Sequence, residues 1–181
     1  MRLEIDVEKS VERKRLYPKS KLIYYSDYVF FGFVAVAYLY LIIAGNSENF
    51  INKVTSGIII WTTIYLIVFL RVFYILSKIS ILTVLTIKDK KKAKNYIHAL
   101  IEKSNWDIKR EDEDFIIFVT KVVSVRERQV TIIFKYDQVF INVMTLGRNM
   151  KSIFHYQSDR RFLKSIIDKF NENNILQYEQ L

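Results

Sequence analysis

Apolar residues fall into three patterns along this chain, each predicting a different kind of element. Residues 28–44 read YVFFGFVAVAYLYLIIA without a charge, and from Gly57 the chain reads GIIIWTTIYLIVFLRVFYIL, broken only by Arg71. Lys78 and a further apolar stretch, ILTVLTI, follow. At about 1.5 Å of rise per residue the first run spans roughly 26 Å, close to the hydrocarbon thickness of a bilayer. Two transmembrane helices are predicted, over 28–44 and 57–77, the second continuing toward 87.

Beyond residue 88 the period changes. Ala93, Ile97, Leu100 and Ile101 recur at helical spacing, as do Phe162, Leu163, Ile166, Ile167 and Phe170 behind Ser158, a candidate N-cap, and Asp159. Between these helices the acids Glu111, Asp112, Glu113 and Asp114 read as a turn before FIIFVTKVVSV, a strand rich in phenylalanine and β-branched residues. RQVTIIFKYDQVFINVMTL reads as a hairpin, with strands 130–135 and 139–144 and a turn at 136–138; a short extended piece is expected at 152–155. The predicted fold class is a membrane protein: a two-helix transmembrane hairpin (24–87) plus a small α+β cytosolic domain (88–181). That domain is an antiparallel sheet of about three strands packed by two helices. Residues 1–23 form a basic cytosolic segment. Within it Leu3, Ile5 and Val7 alternate like a strand that adds to the sheet edge, whereas Leu3, Val7 and Val11 suit a helix on the membrane surface.

Charge orients these parts. The net +9 divides into +3 over 1–23, +1 over 24–87 and +5 over 88–181, while Glu48 and Lys53 cancel between the spans. Positive flanks predict both termini on the cytoplasmic side of the plasma membrane. Residues 1–23 hold four acids and no small-residue cleavage site closes the first span, so it is not expected to be a signal peptide. Arg71, about 21 Å along the helix from Gly57, either snorkels to the interface or pairs within the membrane with Asp27.

The chain has no cysteine, which removes disulfides, thiolate metal sites and cysteine nucleophiles. Its two histidines, His98 and His155, sit on separate elements without carboxylates at ligand spacing, so no metal site is expected. Asp107 and Lys109 have the local form of a nuclease D-x-K, but the element upstream reads as a helix. No phosphate-binding glycine loop or nucleophile elbow occurs among the 4 glycines. Neither an enzyme nor a cofactor is expected. What remains is cations interleaved with aromatics: Arg126, Arg128, Lys135, Arg148, Lys151, His155, Arg160, Arg161 and Lys164. Arginine forks match phosphates and aromatic rings stack bases, so this set is the candidate site for a nucleotide or other polyanion.

The order and size of these parts resemble the two-span membrane effectors of prokaryotic antiviral defence, including membrane-anchored CRISPR ancillary proteins that respond to cyclic oligoadenylate. The resemblance implies a homo-oligomer that binds a cyclic oligonucleotide near its symmetry axis and perturbs the bilayer through its hairpins. The alternative expectation is a membrane-anchored adaptor, immunity or assembly protein whose domain docks another protein while its cations orient it at the lipid surface.

Overall fold

The computed structural model describes residues 5–17, 28–29, 31–38, 40, 51–123, 126–146 and 152–177, with backbone alone at 51–61, 122–123 and 126. They divide into two compact units: Met1–Lys19 with Ile79–Leu181, and Ser20–Lys78.

The first unit is built on five strands: β1 (Thr83–Thr86), β2 (Asp107–Glu111), β3 (Phe115–Val123), β4 (Arg126–Lys135) and β5 (Gln138–Leu146). They run in the order β1-β5-β4-β3-β2, every neighbouring pair antiparallel. β3 to β5 are dominated by β-branched and aromatic residues, which suit a pleated surface. Their register aligns Phe118, Val130 and Val143 in one row and Ile116, Ile132 and Ile141 in the next. Helix α3 (Lys90–Lys103) starts at Asp89, whose carboxylate accepts hydrogen bonds from the Lys91 and Lys92 amides at 2.8 and 3.2 Å. It lays Ala93, Ile97 and Ile101 on these rows, and helix α4 (Tyr156–Glu172) adds Leu163, Ile166 and Phe170. Burying each large side chain contributes about 1.5–3 kcal/mol.

The opposite sheet face is also buried, at Phe115, Ile117, Thr131, Ile133, Phe140, Asn142 and Met144. Asn142, 3% exposed, donates through Nδ2 to the carbonyls of Ile79 and Ile81 at 3.0 and 2.9 Å, holding residues 79–82 to that face. The N-terminal segment is bonded to the same stretch. Helix α1 (Val7–Glu12) leads into a turn, after which the Leu16 amide donates to Ser80 O at 2.7 Å and the Leu82 amide to Lys14 O at 3.0 Å. Ile5, Leu16 and Leu82 are buried.

The second unit holds helix α2 (Ile51–Ile79) and a helical segment at 31–38. The segment meets α2 through aromatic rings, Tyr38 on Tyr65 at 3.8 Å and Tyr28 on Phe73 at 5.9 Å between centroids.

Several sequence expectations are corrected. The two-span membrane hairpin is one: among the described residues only Thr62–Ile79 of α2 is long and apolar enough to cross a bilayer. Of the expected first span, 28–29, 31–38 and 40 are helical, and 30, 39 and 41–44 lie outside the described residues. The three-strand sheet is another. Helix α2 ends at Ile79, and the apolar stretch beyond it is strand β1, where Thr83, Val84 and Thr86 favour a pleated edge over a helix. β2 was hidden by its charged sequence, DIKRE. In the N-terminal segment 7–12 is helical, and Arg15 forms an isolated antiparallel bridge with Ile81. Residues 153–155 form a 3₁₀ turn, and α4 begins ahead of Ser158, which is inside the helix.

Replacing Asn142 by leucine of similar volume leaves two buried carbonyls without a donor. It is expected to lower stability by about 1–3 kcal/mol, read as a reduced urea midpoint of the full chain in detergent micelles.

Candidate functional site

Helix α4 carries Arg160, Arg161 and Lys164, and it sorts its charged residues onto two faces. Asp159, 2% exposed, points inward. Its carboxylate accepts from Arg128 Nε at 2.9 Å and from the Thr145 amide and hydroxyl, both at 2.7 Å. Arg128 is 8% exposed; its Nη2 donates to Ser158 Oγ at 2.8 Å and its guanidinium lies 4.5 Å from the Phe162 ring centroid. Arg128 is thus a clamp joining β4, β5 and α4, with its Nε and one Nη2 donor turned inward.

The outward face carries Arg160, Arg161 and Lys164, all exposed and without an ion-pair partner among the described residues. This placement breaks a local rule: Arg160 and Lys164 are like charges four residues apart, which costs a helix about 0.2–0.5 kcal/mol. The sequence alone did not single out Phe154. This residue, 87% exposed in the turn before α4, is the most solvent-accessible large apolar side chain described, and its neighbours His155 and Tyr156 drew the attention instead.

The other candidates are dispersed. His155 Nδ1 is bonded to Ser152 Oγ at 2.7 Å. Lys135 ends β4 at the other end of the sheet and lies 5.8 Å from the Tyr136 ring. Arg126 opens β4, with its backbone alone described, and Arg148, Lys151 and Asp27 lie outside the described residues. Arg71 is exposed on α2. The acidic turn is tied down by side chains of α3: Lys90 to Asp114 at 2.6 Å, Lys94 to Glu111 at 3.3 Å, and His98 to Glu111 at 2.8 Å. Lys109 pairs with Asp107 along β2. No group of three metal-ligating side chains occurs among the described residues.

One shifted group lies between α3 and the end of α4. Burial raises the Tyr96 phenol above its ordinary value of 10.0, and the Glu172 carboxylate adds to the shift. Tyr96 Oη accepts from Asn173 Nδ2 at 3.0 Å. Searches against protein-family models, curated proteins and solved structures find no match.

Two outcomes are expected. Asp159→Ala strands the Arg128 charge and should cost about 3–5 kcal/mol of stability by urea titration, much of it recovered by adding Arg128→Met. The Tyr96 phenol ionises first in the unfolded chain, so stability present below pH 10 should decline above it, and Tyr96→Phe should flatten that alkaline limb.

Proposed function

We propose that the chain is a membrane-anchored sensor whose domain binds a polyanion, such as a cyclic oligonucleotide, on the outward face of α4. Anchoring rests on α2. Leu66, Ile67, Val68 and Leu70 are 53%, 60%, 56% and 58% exposed, and with Ile64 and Tyr74 they cover roughly 200° of the helix circumference. Water solvates such a surface poorly and lipid solvates it well. Residues 14–16 are hydrogen-bonded to residues 80–82, so the chain between them leaves and rejoins the domain at one place. The basic flanks favour the cytosolic side for that domain.

The observation that carries the ligand class is the unfavourable stripe of Arg160, Arg161 and Lys164. Local rules are commonly broken where function needs it, and a bound anion would relieve the like-charge repulsion. β5 offers a route from ligand to membrane. Thr145 on one of its faces is bonded to Asp159 of α4, and Asn142 on the other is bonded to residues 79 and 81, where α2 ends. Capture of a partner's strand is less well supported, because edge strand β2 is mostly charged and interrupted by a bulge.

The test uses the full chain in nanodiscs, with cyclic oligoadenylate and single-stranded RNA as probes. At least one should raise the melting temperature of the wild type, and rising salt should weaken the effect. Arg160→Gln with Lys164→Gln should melt about 1–4 °C higher without ligand, since the repulsion is gone. The same variant should bind about tenfold or more weakly. A wild type that no polyanion stabilises, or a variant that binds as tightly, overturns the ligand class.

A further inference from the structure

We propose that the turn at Arg13 and Lys14 is a contact site for anionic lipid headgroups; this rests on the membrane anchoring inferred above. The turn is built rather than loose. Ser10, fully buried, accepts from the Tyr17 amide through its hydroxyl at 2.8 Å, its carbonyl accepts from the Arg15 amide at 2.9 Å, and the Asp6 amide donates to Tyr17 O at 2.8 Å. These bonds close residues 6–17 into a loop, and the Leu16–Ser80 and Leu82–Lys14 bonds fix it to the first residues beyond α2. The exposed apolar surface of α2 reaches Tyr74, while Ile79 is buried and bonded to Asn142; a helix in lipid as far as Tyr74 leaves Ser80 about 9 Å further along its axis, and the turn bonded there stays with it.

The side chains at this place are cationic. Arg13 and Lys14 are exposed and have no ion-pair partner among the described residues. The nearby acids are Asp6, which pairs with Lys9 at 3.5 Å, and Glu8 and Glu12, exposed on α1. Lys14 has φ 47°, in the left-handed region where asparagine or glycine sits at lower cost. A lysine in that conformation is explained by what its charge contacts. Cations beside an anionic leaflet are attracted over about a Debye length, which matches a turn held close beyond the lipid-facing part of α2.

The absence of cysteine makes the test clean, since Glu12→Cys gives a single labelling site beside the turn. The full chain carrying a fluorophore there is reconstituted into vesicles of phosphatidylcholine, with or without phosphatidylglycerol, containing a headgroup-attached nitroxide quencher. Quenching should rise roughly twofold with the anionic lipid and fall back at about 1 M salt. It should also lose its dependence on lipid charge in Arg13→Gln with Lys14→Asn, where asparagine accepts the backbone conformation. A label at Glu113→Cys, on the β2–β3 turn about 19 Å across the sheet from β1, should respond little. Quenching independent of lipid charge, in a chain that stays with the vesicles through an alkaline carbonate wash, overturns the headgroup contact alone. Release by that wash overturns the anchoring and the contact with it.

Discussion

The middle strands of this sheet are apolar on both faces, and such strands cannot stand with either face in water. Phe118, Val130, Ile132 and Ile141 call for one cover, and Phe115, Ile117, Ile133 and Phe140 call for another. Helices α3 and α4 supply the first. At the second, Asn142 binds residues 79–82 and these in turn bind residues 14–16. The demand for a second cover therefore decides where α2 joins the domain and why the two ends of the chain belong to one unit.

The chemistry of α4 follows from the same layering. A helix lying on a sheet must find partners for whatever polar groups face inward, and Asp159 finds three donors on β4 and β5. That network fixes the rotation of the helix, so Arg160, Arg161 and Lys164 are held outward instead of being free to turn toward a neutralising acid. The buried pair makes the exposed stripe persistent, at some electrostatic cost to the domain.

Much of the domain was legible in its periodicities. The stripe of Ala93, Ile97, Leu100 and Ile101 announces α3, and the alternation around Tyr136 announces the β4–β5 hairpin, because each element presents one strong period to one neighbour. β1 was not legible, since a short apolar run directly after a longer one reads as more of the same helix. β2 was not either, because a charged edge strand has no buried face to impose alternation. The partner of Arg128 was not legible for a related reason: its acid is on another element, and a sequence shows an arginine without showing what lies opposite it. Asn142 was the overlooked signal: an amide inside an apolar strand must be bonded to something, and the residues it binds lie at the end of α2.

The bonds between residues 14–16 and 80–82 also bear on how the molecule is made. The N-terminal loop emerges from the ribosome first, yet its partners are synthesised only after all of residues 20–78. Closure of the domain therefore waits for the whole of that intervening stretch, and until it happens the second sheet face stays open, with Phe115, Ile133 and Phe140 displayed to chaperones and proteases.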